Sequence, residues 1–395
     1  MDGGCHRGRG LRSGPSHGSH GRPHRAGLRG TGRDPWLGDD EPALHRRPRA
    51  RHVHPRPVAQ GETMTTPAAV VWDITYACPL RCEYCYSESG RRPSQQLSWP
   101  DLARVVDALV ELGPRTVVLS GGEPLVVPEI FQVAERLRSG GVSVHLYTSG
   151  WHVTDRIGAA VLEVISNVTV SIDGATSATH DRLRGRAGSF DRALDAAARL
   201  SAAAAGRHEP AVGVDYTVTR SNFAEMPDFC RLVATRLPSL DYVFFGAAMP
   251  IGLASREGFV AHEIVTPRQL TLLRDDSYAD TLRAHVGADL VVSDNGMFQM
   301  HPDRLAQGEI PAMQVEPDGR VRAMPVYEGT VGSLLDEPGT TLWRRAMARW
   351  SDPRVTGLIE PARTMEAWAD ATRRLDLMFG DTEDRRRIER RPTFP

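Results

Sequence analysis

The chain of 395 residues is long enough for one large domain or two ordinary ones. Hydrophobic residues make up 41% and charged residues 25%, which is typical of a soluble globular protein. With a formal net charge of −1, the protein has no overall charge that would attract nucleic acid or an anionic membrane. No apolar run approaches the ~20 residues of a membrane helix, and the N-terminus has no apolar signal-peptide region. These bounds favour a cytoplasmic protein of enzyme size, with no nucleic-acid or membrane partner.

Residues 1–63 differ from the rest of the chain. They hold seven of the fourteen histidines, many Arg, Gly and Pro residues, and almost no apolar periodicity. Such a segment cannot bury enough surface to offset its ordering entropy. It is predicted to be a disordered basic segment, or a mis-set start with Met64 as the natural first residue. A basic arm for nucleic acid is the alternative.

From residue 70 the sequence alternates between strand and helix patterns. β-branched apolar runs predict strands at 70–75, 115–119, 142–147, 167–172, 212–218 and 241–246. Helical periodicity lies between them, at 99–112, 128–139, 155–165, 189–205 and 224–236. Six strands alternating with helices predict right-handed βαβ units and an α/β fold with a parallel sheet. Periodicity leaves open whether the units close into a barrel.

Beyond about residue 255 the alternation weakens. Helices are predicted near 267–286 and at 340–350. Pro317-Asp318-Gly319 lies among the alternating residues of 311–327 and indicates a hairpin. Residues 378–395 are charged and rich in Arg, and they are predicted to be a frayed tail.

Three of the five cysteines fall within eight residues, and the odd total favours a reducing compartment. Cys78, Cys82 and Cys85 follow the first predicted strand, and an α/β sheet binds ligands at the carboxyl ends of its strands. Three thiolates can hold three corners of a cubane iron–sulfur cluster and leave the fourth iron open to a small ligand. Zinc is the rival metal, although no Cys or His lies between 86 and 144 to complete a tetrahedral site.

The spacing C-x3-C-x2-C after a first strand, with the aromatic Tyr84 before the last cysteine, resembles the signature loop of radical S-adenosylmethionine (radical SAM) enzymes. The resemblance implies a partial (βα)6 radical SAM barrel with a [4Fe–4S] cluster on Cys78, Cys82 and Cys85. It also implies that SAM chelates the open iron, and that one electron cleaves its sulfonium to give a 5′-deoxyadenosyl radical. The cofactors supply this chemistry, and the protein supplies position and shielding.

The second strand ends in Ser120-Gly121-Gly122-Glu123-Pro124, which resembles the family's GGEP motif for the SAM amino group. Two glycines let backbone approach a ligand closely, and a carboxylate matches a cationic amine. Two further elements follow in the family's order. Tyr147-Thr148-Ser149-Gly150 resembles the T-N/S-G element near SAM, and Ser171-Ile172-Asp173-Gly174 resembles the segment whose Ser binds the ribose.

The next stretch, His180-Asp181-Arg182-Leu183-Arg184-Gly185 with Gly188-Ser189-Phe190 after it, resembles the family's HD-x-x-RG…GSF segment. The resemblance implies that Arg184 pairs with the SAM carboxylate; considered singly, it would be a solvated surface charge. Met249-Pro250-Ile251-Gly252 resembles the P-x-G segment that flanks the adenine. The implied cofactor-binding residues are Tyr84, Gly121, Gly122, Glu123, Pro124, Ser149, Ser171, Asp173, Arg184 and Gly252.

Residues 311–347 resemble the start of a SPASM or twitch extension, the subdomain that carries auxiliary clusters in many relatives. Where those relatives have a Cys after the hairpin, this chain has Ala323-Met324-Pro325, and no cysteine follows Cys230. The resemblance implies a core barrel over 64–260 and a SPASM-like cap over 261–377 without auxiliary clusters, since such clusters need thiolates.

Some side chains are placed by periodicity alone. Cys230 has apolar helical neighbours and is expected to be a buried core residue, not a hydrogen-atom donor. No catalytic residue is therefore assigned beyond the cluster and SAM. Strand alternation turns one of Asp215 and Tyr216 toward the interior, and it leaves open which sides Trp72 and Asp73 face.

The main function hypothesis is reductive cleavage of SAM and hydrogen abstraction in the maturation of a ribosomally made peptide. The alternative is epimerisation, dehydration or rearrangement of a sugar or aminoglycoside-like natural product. A hypothesis from another class is a non-catalytic iron–sulfur or zinc regulatory protein, which would have no use for the SAM elements. The implied partners are a peptide or small-molecule substrate and a cellular electron donor such as flavodoxin or ferredoxin.

Overall fold

The computed structural model describes residues 66–295, 300–307 and 312–394, so the predicted disordered segment 1–63 lies outside the described residues. The first part of the chain alternates strands and helices as the sequence predicts. The elements are β1 (Ala69–Thr75), α1 (Trp99–Leu112), β2 (Thr116–Gly121), α2 (Ile130–Ser139), β3 (Ser143–Thr148), α3 (Asp155–Val164), β4 (Asn167–Ser171), α4 (Ser177–Arg184), α5 (Ser189–Ala204), β5 (Ala211–Val218), α6 (Met226–Arg236) and β6 (Tyr242–Ala247).

Strands β1 to β6 lie side by side in chain order, and each pairs in parallel with the next. Successive right-handed crossovers in one direction leave the helices on one face of the sheet. Helix α1 shows how a helix covers that face: its buried residues recur at helical spacing, as Leu102, Val105, Val106, Leu109 and Leu112. The predicted α/β partial barrel is confirmed, with its strands in an open row.

The remaining elements are mostly shorter. They are α7 (Glu257–His262), α8 (Pro267–Leu273), α9 (Asp276–Arg283), β7 (Asp289–Ser293), α10 (Pro302–Ala306), β8 (Met313–Val315), β9 (Arg320–Arg322), β10 (Thr330–Ser333), α11 (Gly339–Trp350), α12 (Pro353–Ile359), α13 (Met365–Phe379) and α14 (Thr382–Glu389). None of the helices in the described ranges is both long and apolar enough to cross a bilayer.

The helix predicted near 267–286 is two helices. It breaks after Leu273, and Asp275 starts α9 by accepting a hydrogen bond from the Ser277 N–H at 2.8 Å. Periodicity alone misses this break because both halves keep an apolar stripe.

The ten-stranded sheet of the described residues runs through both predicted domains. Strand β7 pairs in parallel with β6, and β8 pairs in parallel with β1 at the opposite edge. The predicted boundary at residue 260 is therefore not a break in the structure, because segments beyond it extend the core sheet on both sides. The predicted hairpin is β8 and β9, with Gly319 at φ 83° in its turn.

The prediction of a frayed tail is wrong. Residues 382–389 form α14, which starts with a capping box between Asp381 and Asp384. Arg387 and Arg391 then reach buried carboxylates of the core, so charge pairing orders a segment that has little apolar surface.

Candidate cofactor site

The three cysteines lie in the loop that follows β1, and all three are partly buried. Burial, together with a smaller contribution from a negative charge on Cys82, raises the pKa of the Cys78 thiol to about 12. Burial likewise raises the pKa of Cys82 to about 11, against the lowering effect of the Arg184 guanidinium. These thiols therefore hold their protons until a metal ion displaces them.

One side of this loop is held by the end of β2. The Gly122 N–H donates to the Thr75 carbonyl at 2.7 Å, and the Glu123 N–H donates to the Ala77 carbonyl at 2.9 Å. A Cβ on Gly122 would lie 2.2 Å from the Ala77 oxygen, and one on Gly121 would lie 2.6 Å from the Thr75 oxygen. The two glycines thus bring the end of β2 against the cysteine loop, which is a packing role that the sequence does not reveal.

Two more segments hold the other sides. The Arg81 N–H donates to the Arg184 carbonyl at 3.0 Å, at the end of α4. The Leu253 N–H donates to the Cys85 carbonyl at 3.1 Å, and Gly252, at φ 52°, would place a Cβ 2.2 Å from the Tyr86 oxygen. The structure thus brings three of the motifs singled out in the sequence into backbone contact with the cysteine loop.

Glu123 is fully buried at the same edge of the sheet. Its Oε1 accepts from the Leu125 N–H at 3.2 Å and from Thr148 Oγ1 at 2.8 Å. Its Oε2 accepts from the Ser149 N–H at 2.8 Å and from the Ser149 hydroxyl. All four donors are neutral, so they fix the carboxylate without cancelling its charge, and a cationic amine would complement it. Pro124 begins the short 3-10 helix that Glu123 caps.

Arg184 is buried, at 8% exposure, so the interpretation of this residue as a solvated surface charge is wrong. Its Nε pairs with Asp173, and the Tyr84 hydroxyl donates to the same carboxylate oxygen. Its Nη1 lies 4.0 Å from Cys82 Sγ. The second Asp173 oxygen accepts from the Thr217 N–H at 2.9 Å. This arrangement fixes a guanidinium beside the middle cysteine, where an anionic group could meet it.

Strand alternation is resolved by the contacts of neighbouring residues. Tyr216 packs edge-on against Phe229 of α6, so Asp215 faces the opposite side of the sheet, with Asp173 and Arg184. Burial raises the pKa of Asp215 to about 7, and the nearby Asp173 charge adds to that rise. Ser171 ends β4 directly opposite Asp215 in the strand register and is half-buried.

Asp73 lies on the same face of the sheet as Asp215, and the sequence alone assigns it no role. It accepts hydrogen bonds from the Tyr86 hydroxyl at 2.5 Å and from Gln314 Nε2 at 2.7 Å. Trp72, its buried neighbour, therefore faces the helices. The only sequence signal for Asp73 is a carboxylate within an otherwise apolar strand.

Cys230 is fully buried in α6, and burial raises its pKa to about 12. It belongs to the core cluster with Phe229 and Val233. The prediction that it is a core residue is confirmed.

The three thiols of the loop are compatible with a cluster. No three Cys, His, Asp or Glu side chains within 66–295, 300–307 and 312–394 converge on a point that would suit one metal ion. A cubane binds each thiolate through a different iron, so its three cysteines need not converge on one point.

The site is a three-cysteine loop after the first strand of a parallel α/β sheet, with the buried Glu123 carboxylate after the second strand. Residues 72–232 match the Radical SAM superfamily. The cofactors of this family are a [4Fe–4S] cluster and SAM.

Two curated proteins illustrate the similarity. The mycofactocin maturase MftC of Mycobacterium tuberculosis (strain CDC 1551 / Oshkosh) is 33% identical over 183 residues, which are 46% of this chain and 45% of the maturase. The chain thus spans about half the length of this relative. The Fe-coproporphyrin III synthase of Methanosarcina barkeri (strain Fusaro / DSM 804) is 25% identical over 337 residues, which are 79% of this chain and 82% of the synthase.

The fold also matches solved structures. Streptococcus suis SuiB bound to S-adenosylmethionine has a TM-score of 0.57 at 13% identity, over 80% of this chain and 77% of SuiB. SuiB bound to the precursor peptide SuiA has a TM-score of 0.56 at 13% identity, over 76% of this chain and 68% of SuiB. At this identity the likeness shows the fold alone.

Proposed function

We propose that this protein is a radical SAM enzyme that holds one [4Fe–4S] cluster through Cys78, Cys82 and Cys85. The observation that carries the proposal is the shared edge of the sheet, where the cysteine loop contacts the segments of Glu123, Arg184 and Gly252. A structural zinc or iron–sulfur site has no need of a buried carboxylate and a buried guanidinium around it. The match of residues 72–232 to the Radical SAM superfamily supports the same reading.

The residues of this chain would bind and orient SAM. Glu123, fixed by Thr148 and Ser149, would accept the amino group. Arg184 uses Nε for Asp173, which leaves its terminal nitrogens for the SAM carboxylate beside Cys82. Ser171 and the Gly252 segment would contact the ribose and the adenine. When bound, the cluster and SAM supply reductive cleavage of the sulfonium and hydrogen abstraction from a substrate carbon.

Maturation of a ribosomally made peptide is the substrate class that we propose. The similarity to a mycofactocin maturase at 33% identity supports it. A tetrapyrrole is the second candidate, because the Fe-coproporphyrin III synthase matches 79% of this chain. The electron would come from a carrier such as flavodoxin or ferredoxin. The C-terminal extension would carry no further cluster, because no cysteine follows Cys230 in this sequence.

Anaerobic reconstitution tests the proposal directly. We expect about four irons per chain, since one cubane sits on three thiolates. Reduction with dithionite in the presence of SAM should then release 5′-deoxyadenosine. Zinc without iron after anaerobic preparation would overturn the enzyme assignment, and about eight irons would overturn the single-cluster assignment. Deuterium transfer into 5′-deoxyadenosine from a labelled precursor peptide, but not from a labelled porphyrin, would support the peptide over the tetrapyrrole.

A further inference from the structure

The C-terminal segment Thr382–Phe394 packs against the cysteine loop. Arg391 donates to Glu88 Oε1 through Nε at 3.0 Å and through Nη2 at 2.8 Å. Arg387 pairs with the same carboxylate oxygen. Glu88 lies three residues after Cys85, so two arginines from the far end of the chain hold the trailing half of the cysteine loop.

Glu88 is a buried residue with an unusual backbone conformation. It is 3% exposed, and its φ of 54° is in the left-handed region that favours glycine. Its N–H donates to the Cys85 carbonyl at 3.4 Å, which ties its backbone to a cluster cysteine. A non-glycine residue in this conformation persists only where its surroundings fix it. The two arginines provide that constraint through the side chain.

The segment has a second anchor beside the first. The Pro392 carbonyl accepts from Arg256 Nη1 at 2.8 Å, and Arg256 Nη2 donates to the Glu83 carbonyl at 2.6 Å. The Phe394 ring meets Phe259 edge-on, with ring centroids 5.2 Å apart. One arginine thus bridges the C-terminal segment and Glu83, which lies between the second and third cysteines.

We propose that Thr382–Phe394 is a clamp on the cysteine loop, with Arg387 and Arg391 as positioning residues that act through Glu88. The clamp fixes the loop in the conformation that presents the three thiols, before any cluster is bound. That the loop receives a cluster rests on the proposed function; the clamp itself consists of contacts between residues of the chain.

Hydrogen exchange on the full-length, metal-free protein tests the clamp. The Arg387→Ala/Arg391→Ala variant should exchange the Glu88 and Gly90 amides at least ~10-fold faster, while the amides of β3 and β4 stay unchanged. The matched control is Arg386→Ala/Arg390→Ala, which removes two exposed arginines from the same helix and its end. Equal loop exchange in the two double variants would overturn the proposal.

Two further measurements keep the test sharp. If the double variant does not fold, Glu88→Gln removes the same charge pairing, and faster exchange at Gly90 is again expected. After anaerobic reconstitution, the iron content of the clamp variant should fall below that of the control, and Arg387→Lys/Arg391→Lys should restore part of it. Iron content equal to that of the control would contradict a positioning role. Because exchange is measured without cluster or SAM, its result is independent of the reaction assigned above.

Discussion

The cysteine loop and the C-terminal extension are held by different kinds of contact. Around the cysteines the loop is held by backbone hydrogen bonds, such as that from Gly122 to Thr75 at 2.7 Å, and the arginine pairs hold its end at Glu88. The extension is held by buried ion pairs, such as Arg322 to Glu316 at 3.0 Å and Arg387 to Glu328 at 2.7 Å. Close backbone contact requires glycine and leaves a short motif in the sequence. An ion pair such as that of Arg387 with Glu328, 59 residues apart, leaves no local pattern.

The largest effect should come from the extension. Arg322 is fully buried between Glu316 and Glu328, so Arg322→Ala would leave two buried carboxylates without their main partner. We expect a loss of about 3–5 kcal/mol in the free energy of unfolding, measured by urea denaturation. The control is Arg345→Ala, whose pair with Glu337 is solvent-exposed, and its stability should stay nearly unchanged. Equal losses of unfolding free energy in the two variants would show that the burial of an ion pair does not determine how strongly it stabilises the extension.

A glycine substitution tests the backbone contacts. Gly122→Ala forces a Cβ within 2.2 Å of the Ala77 oxygen, where only backbone could give way. We expect a loss of roughly 2–3 kcal/mol in thermal or urea unfolding. Gly287→Ala is the matched control, because a Cβ there meets nothing within 4 Å. If the Gly122→Ala protein were as stable as the control, Gly122 would not be needed for packing the end of β2 against the cysteine loop.

The pH dependence of stability tests the inward placement of Asp215. Its pKa of about 7 lies above the ordinary value of 3.8, so between these values the folded protein holds a proton that the unfolded chain has released. Raising the pH through this window therefore lowers stability, and Asp215→Asn should remove that part of the slope. Asp376, also with a pKa raised to about 7, titrates in both proteins and cancels in the difference. Parallel stability curves from pH 4 to 8 would contradict the inward placement of Asp215.

The smallest effect is expected at Cys230. Cys230→Ala removes one small buried group, so we expect a loss of about 1 kcal/mol and retained product formation. Analysis of products by mass spectrometry checks this. If 5′-deoxyadenosine still accumulates while product disappears, Cys230 is a hydrogen-atom donor, and its placement in the core needs revision.

These contacts explain which structural elements can be predicted from the sequence and which cannot. Strands β1 to β6 lie within one residue of the predicted starts, because alternating apolar strands and amphipathic helices are local patterns. Helix α4 was not predicted, since it is short and mostly polar and ends at Arg184, whose partner Asp173 lies in the loop after β4.

The C-terminal segment was missed for a related reason. Arg387 pairs with Glu88, 299 residues earlier in the chain, and no local pattern signals such a pair. In the candidate site, the cysteines and Glu123 could be found from motifs. Asp73 and Asp215 could not, because their role depends on which face of the sheet each strand turns inward.

The central claim is that the cysteine loop, Glu123 and Arg184 form one SAM site, and SAM binding to reconstituted Glu123→Gln and Arg184→Ala proteins tests it most directly. Each variant loses a charge-assisted contact of about 1.5–3 kcal/mol, so we expect SAM to dissociate roughly 10- to 150-fold more readily. The visible absorption of the cluster should stay as in the unsubstituted protein, because neither side chain ligates iron. Unchanged SAM affinity in both variants, with the cluster intact, would contradict the claim.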